Sequence, residues 1–306
     1  MYCDRIDMKN LIGNIVDDVI SEDIQVLNEW YLSSAYIAYG SKWKYVIRKC
    51  KEFVPGYEYP WDIYRSYLIS HEMFLNSYII NNVRSYGIIT YEDEPYHVQE
   101  FVPGTIKQLS DYTWEDILTV AEKIALIHQI TYTWENSELI YRRSLREVVT
   151  NYETILSLYE QSVWKNNIHI LSLVKKAFDI YINHMESNIS RPCVALHGDF
   201  WHNNIIFNDA DPYFIDFSRI PYWEAWIDVG HFLVNLQIEY ILTKDHKYLD
   251  YYNSFLNKYK EITEDSDIEN YIQLNKCFVI GVSLSPKVQW FLKRNDQIIK
   301  EVLNIL

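Results

Sequence analysis

Two short apolar runs, Ile205-Ile206-Phe207 and Tyr213-Phe214-Ile215, flank a turn at Asp209–Pro212 inside a stretch that otherwise reads as helix. Strand-length runs on either side of turn residues predict a tight hairpin. Such a hairpin brings the residue before its first strand, Asn204, to the same end as the residue after its second, Asp216. A carboxylate, Asp199, stands five positions ahead of Asn204. The fold must therefore set a small oxygen-rich constellation into a helical scaffold.

The order of elements around that hairpin defines the architecture. Residues 9–20 place Leu11, Ile12, Ile15, Val16, Val19 and Ile20 on one helical stripe. Between 23 and 50, three β-branched and aromatic runs separated by Ser-Ser and Gly-Ser-Lys turns predict three antiparallel strands. A helix over 60–82 follows, with Pro60 in its first turn, and then two strands around a turn at Glu92–Pro95. Pro103-Gly104 breaks the pattern. Beyond it, helices are expected at 113–131, 143–162, 168–188, 227–242, 247–260, 266–282 and 285–305, with Thr113 starting the first of them. The expected class is α+β in two lobes: residues 1–99 a small antiparallel-sheet lobe with one central helix, 100–104 a hinge, and 105–306 a larger helical lobe.

Composition narrows the function classes. The formal net charge of −14 argues against a nucleic-acid partner, which demands Lys/Arg surfaces, and suits a cationic small ligand. The aromatic excess, 27 Tyr, 10 Trp and 12 Phe against 8 Gly, reads as compositional bias, not an aromatic cage. The cysteines (3, 50, 193 and 277) form no CxxC pair and the histidines show no metal spacing, so neither a disulfide framework nor a zinc site is expected. Neither a basic-then-apolar leader nor an apolar run of membrane-spanning length is visible, and the expectation is a cytoplasmic protein without membrane contact.

The segment His197-Gly198-Asp199-Phe200-Trp201-His202-Asn203-Asn204, then Phe214-Ile215-Asp216-Phe217, carries the chemistry. Phosphoryl transfer asks a protein for a carboxylate to orient the attacking hydroxyl and for hard oxygens to hold Mg²⁺ against phosphates. One Asn and one Asp suffice, because Mg²⁺ keeps waters and phosphate oxygens as its other ligands. Taken singly, these residues could be loop caps; the spaced set with its apolar flanks points to the site. Neither GxSxG nor GxxxxGK[ST] occurs.

HGDFWHNNIIF followed by YFIDF resembles the catalytic and metal-binding segments of the aminoglycoside phosphotransferase family, which is related to choline kinases and more distantly to protein kinases. The resemblance implies a two-lobed protein-kinase-like fold and an ATP- or GTP-dependent kinase acting on a small-molecule hydroxyl. It makes Asp199 the catalytic base, His197 the brace of its loop, and Asn204 and Asp216 the Mg²⁺ ligands. Asp228 is expected to cap the next helix and anchor the catalytic loop. Glu224 reads as a solvated carboxylate or a contact for a cationic substrate.

In the first lobe, Tyr45-Val46-Ile47-Arg48-Lys49 resembles the strand that ends in a phosphate-contacting lysine. Alternation lets one of Arg48 and Lys49 face the nucleotide, and register favours Arg48. Glu72 is its expected helical partner. No Gly-rich loop is present; the turn at Leu32–Ala35 offers Ser33 or Ser34 to phosphate, or is a plain β-turn. The nucleobase is expected on backbone groups of Glu100, Phe101 and Val102. An aminoglycoside is the first acceptor expected. Choline, homoserine, a sugar or a macrolide are alternatives within the enzyme class, and a non-catalytic docking protein is the alternative outside it.

Overall fold

The structure is a computed structural model, and it describes residues 4–21, 24–29, 33–50, 83–129, 168–186, 193–217 and 222–272. The expected helices over 60–82 (with Glu72), 143–162 and 285–305, and the end of that over 266–282, lie outside the described residues. The chain divides into two compact units: residues 1–107 with 203–221, and residues 108–202 with 222–306.

The first unit is built on a five-stranded antiparallel sheet. Its strands are β1 (Gln25–Glu29), β2 (Ser33–Tyr39), β3 (Lys44–Cys50), β4 (Ser85–Tyr91) and β5 (Glu94–Glu100), in the order β1-β2-β3-β5-β4. Alternation along these strands puts Ala38, Tyr45, Ile47, Ile89, Tyr96 and Val98 on one face, where they bury together with Ile12 of helix α1 (Asp4–Val16). The β4–β5 hairpin turns through Glu92 and Asp93 at φ 52° and 60°, which is the left-handed pair a two-residue hairpin loop requires.

Helix α1 starts earlier and stops earlier than its apolar stripe suggests. Asp17 turns left-handed at φ 52°, leaving Val19 71% exposed and Ile20 in a lone bridge to Gly40. The cause is Asp18, whose carboxylate accepts hydrogen bonds from the N–H groups of Val19, Ser41, Lys42 and Trp43 and the hydroxyls of Ser41 and Tyr45. Burial alone would raise its pKa; the Ser41 and Tyr45 hydroxyls and these amides outweigh that and hold it far below the carboxylate range. The β2–β3 turn is thereby pinned to the end of α1, and a Cβ on Gly40 would collide with the Asp18 carboxylate.

Past the sheet, the short strand β6 (Thr105–Ile106) pairs with β8 (Ile205–Asn208), which forms a hairpin with β9 (Asp211–Phe214). This is the hairpin expected from the two apolar runs, and it belongs to the sheet's unit. Gly104, at φ 151°, passes so close to the Phe207 carbonyl that a side chain has no room.

The second unit is helical: α2 (Trp114–His128), α3 (Ile168–Glu186), α4 (Trp226–Thr243), α5 (Lys247–Thr263) and α6 (Ile268–Ile272), with a two-stranded pair of β7 (Cys193–Ala195) and β10 (Tyr222–Glu224). Thr113 starts α2 through a reciprocal capping box with Asp116. No described helix is long and apolar enough to cross a membrane. Phe232 sits at the centre of an aromatic stack, 4.8 Å from Phe255 and 5.3 Å from Phe200 between ring centroids, and all three are fully buried. Phe232→Ala is therefore expected to lower unfolding free energy by about 3–5 kcal/mol. A chemical-denaturation midpoint within error of the wild type would show that the stack is not a core element.

Candidate active site

In the second unit, the strand β7 runs into the loop His197-Gly198-Asp199, and a buried carboxylate holds that loop by its backbone. Asp228, in the first turn of α4, is wholly inaccessible; its Oδ2 accepts from the His197 N–H at 2.7 Å and its Oδ1 from the Gly198 N–H at 2.8 Å. His128 Nε2 approaches the same Oδ2 at 3.1 Å. Burial would push the Asp228 pKa up, but the bonds from His128 and from the His197 backbone win and hold it below the ordinary value. The anchoring role expected of Asp228 is present, whereas its capping role is not. Ala225 is the N-cap, and the Asp228 carboxylate turns toward the loop, where it accepts the N–H groups of His197 and Gly198.

The brace expected of His197 takes a specific form. Its buried ring accepts the Asp199 N–H at Nδ1 (3.3 Å), which requires that nitrogen to be unprotonated. Phe200, next in sequence, plugs the loop into the aromatic core. Asp199 is thus flanked by a ring-bonded amide on one side and a buried phenylalanine on the other. Glu224 departs from expectation: it is only 9% exposed, and its Oε2 accepts from His184 Nε2 at 3.0 Å and from the Trp226 indole N–H. A carboxylate held by two donors beside buried rings is a packing element, not a solvated one.

In the first unit, the hairpin does what its turn predicts. The Ile215 N–H bonds to the Asn204 carbonyl at 3.0 Å, placing the two chain segments side by side. Asp216 follows in a left-handed conformation at φ 63°, which Asp tolerates better than most residues. Its Oδ1 lies 2.6 Å from Arg48 Nη2. Alternation of β3 decides between the two basic residues: Lys49 shares a face with Tyr45 and Ile47, pairs with Glu94 and covers the Tyr96 ring at 5.5 Å, while Arg48 points the other way, to Asp216.

The serines are corrected by register. Ser33 and Ser34 belong to β2 and not to the turn before it, because both continue the β2–β3 ladder opposite Cys50 and Lys49. Ser34, buried opposite Lys49, lies on the face away from Arg48. The hinge amides are also partly spent. Glu100 donates its N–H to the Arg84 carbonyl and Phe101 to that of Lys44, whereas the Val102 N–H has no partner among the described residues. Glu72 lies outside the described residues.

His128 was not singled out by its sequence spacing from other histidines. Its signal was helical: with Ile117, Ala121 and Ile124 it completes a buried stripe on α2, where a titratable residue needs a partner. No described group of three or more His, Cys, Asp or Glu has metal-binding geometry. The residues that could offer oxygens to a hard cation, which takes its remaining ligands from water and phosphate, are Asn204 and Asp216.

Comparison with known proteins gives one family and, separately, one fold. The profile described as "Phosphotransferase enzyme family" matches residues 82–259. No curated protein sequence matches the chain. Among solved structures, the GDP and kanamycin complex of APH(2")-IIia is similar at a TM-score of 0.62 and 14% identity, covering 98% of this chain and 97% of that one. Amicoumacin kinase hAmiN, in complex with AMP-PNP, Ca²⁺ and Ami, is similar at 0.61 and 14%, covering 92% and 88%. A thermostable mutant of aminoglycoside phosphotransferase APH(4)-Ia is similar at 0.56 and 14%, covering 97% and 96%. These likenesses establish the kinase-like fold. The chain belongs to the phosphotransferase enzyme family.

His97, cross-strand from Arg48 and fully buried, gives this region a pH signature. Burial, helped by the Arg48 charge, lowers its pKa to about 3, and Ser85 Oγ holds Nε2 at 2.8 Å. Between the ordinary value near 6.5 and about 3, the unfolded chain binds a proton that folded His97 refuses, so stability falls as pH drops through that window. The loss should approach about 1.4 kcal/mol per pH unit, the slope for a group that binds one proton in the unfolded chain and none in the folded. Urea midpoints from pH 7 to pH 4 for the wild type and His97→Gln test this: the variant's slope should be shallower, and equal slopes would reject the assignment.

Proposed function

We propose that this member of the phosphotransferase enzyme family moves the terminal phosphoryl group of ATP or GTP to a hydroxyl of a cationic small molecule, with an aminoglycoside or related antibiotic as acceptor. The observation that carries the reading is the double anchorage of the Asp199 loop, by Asp228 on its amides and by Phe200 in the core. Phosphoryl transfer is catalysed by positioning and electrostatics more than by covalent chemistry, so a carboxylate fixed this way suits a residue that orients the acceptor hydroxyl and takes its proton.

In this reading residues 1–99 carry the nucleotide, 100–104 form the hinge, and 105–306 carry the catalytic loop and acceptor. The Val102 N–H is the hinge donor left for a nucleobase. Arg48 supplies a planar cation for the α/β-phosphates while holding Asp216, a pairing that a lysine's point charge would make less directionally. The Asn204 amide and the Asp216 carboxylate fit Mg²⁺, and the ion when bound would neutralise phosphate charge. His197 keeps the Asp199 amide in place. The excess negative charge of the chain favours an amine-bearing acceptor. A cytoplasmic setting, where both nucleotides are abundant, belongs to the same proposal.

A second reading, a non-catalytic docking protein, is favoured by one observation: Ser34 faces away from Arg48, and the preceding Trp30-Tyr31-Leu32 holds no glycine. The two readings separate in a turnover assay with Mg²⁺, ATP or GTP, and a panel of aminoglycosides plus other amine-bearing antibiotics. Acceptor-dependent release of ADP or GDP is expected, with Asp199→Ala lowering kcat at least about 100-fold. Absence of both nucleotide binding and turnover would favour docking. Binding without turnover would move the acceptor outside the panel.

A further inference from the structure

Two buried side chains, remote in sequence from the catalytic loop and from each other, reach it through Asp228. Tyr259 on α5 is 1% exposed, and its hydroxyl lies 2.7 Å from Nδ1 of His128, the last residue of α2. The two rings meet edge to face, with centroids 5.6 Å apart. His128 in turn meets Asp228 Oδ2 through Nε2 at 3.1 Å.

Elementary hydrogen-bond chemistry orients this chain. An ionised carboxylate only accepts, so Nε2 of His128 must donate to Asp228. In a neutral imidazole Nδ1 is then the acceptor, and the Tyr259 O–H is the donor that fills it. Beyond Asp228 the same line continues to the His197 and Gly198 amides, and from the His197 ring to the Asp199 amide. Helices α2, α4 and α5 each contribute one member.

We propose that Tyr259 and His128 are positioning residues for phosphoryl transfer: the Tyr259 hydroxyl fixes the His128 tautomer, and His128 orients the Asp228 carboxylate on which the Asp199 loop hangs. The inference rests on the reading of Asp199 as the residue that orients the acceptor hydroxyl. Neither Tyr259 nor His128 belongs to the nucleotide-contact set, so their loss should act on kcat and leave both KM values alone. A loop displaced by a fraction of an ångström still binds substrates but presents the carboxylate badly.

The test measures kcat, both KM values and thermal midpoints for the full chain and for Tyr259→Phe, His128→Gln, His128→Met and Asp199→Ala. Tyr259→Phe, which deletes one hydroxyl, should lower kcat about 10-fold, and His128→Met about 100-fold, with each KM within about 2-fold of wild type. Glutamine can donate through its amide N–H to Asp228 and accept from Tyr259 at its carbonyl, so His128→Gln should retain kcat within about 3-fold. Wild-type kcat in Tyr259→Phe overturns the proposal, as does a His128→Gln enzyme that is folded but as slow as Asp199→Ala. If His128→Met fails to fold, the other two variants decide. An active Asp199→Ala overturns the reading of Asp199 instead, and that outcome is distinguishable from a failure of the Tyr259–His128 pair alone.

Discussion

A single carboxylate taken entirely out of water organises the second unit. An unpaired buried charge is prohibitively costly, so Asp228 must find donors within the protein, and it finds them in the N–H groups of His197 and Gly198 and in the imidazole of His128. That requirement works in both directions. The loop amides have no strand partner, and Asp228 spares them the penalty of burial; the loop in turn spares Asp228 its own. The result is a backbone that can leave the β7 strand, present a half-buried Asp199 and return to the core at Phe200 without losing its place.

The first unit solves a related problem with another carboxylate. Asp18 gathers four amides and two hydroxyls at the junction of α1 and the β2–β3 turn. The turn feeds directly into β3, whose first carbonyl, on Lys44, takes the Phe101 N–H. One end of β3 is thus tied to the hinge and the helix, while its other end presents Arg48 to Asp216. Charge at the ends of a rigid strand is positioned more reliably than charge on a loop, which is why strand register matters so much here: one step along β3, Lys49 is lost to Glu94 on the opposite face.

Much of this was legible in the residues. The apolar runs around Asp209–Pro212, the alternation in Tyr45–Lys49, the Pro-Gly break at 103–104 and the start of a helix at Thr113 each rest on local rules, and each appears where those rules put it. Where local rules compete with a distant partner, they gave the wrong answer. The stripe of α1 runs on to Ile20 in sequence, yet the helix ends at Val16 because Asp18 bonds to residues 41–43. Ser33 and Ser34 look like turn residues, yet they extend β2 because β3 offers them a continuous ladder. Asp228 resembles a helix cap, yet its acceptor capacity is claimed by a loop some thirty residues upstream.

Most of the described elements, the spacing of Asp199, Asn204 and Asp216, and the family whose pattern they match were readable from the residues alone, because strand alternation, helical periodicity and turn chemistry act over a few residues. Tertiary structure alone decided which basic residue faces Asp216, that Glu224 is held between His184 and Trp226, and that His128 and Tyr259 stand behind the catalytic loop. Apart from the Glu224–Trp226 bond, those outcomes depend on pairings across forty to more than a hundred and sixty positions. The buried polar groups of distant elements must satisfy one another there, and no local pattern records which of them will meet.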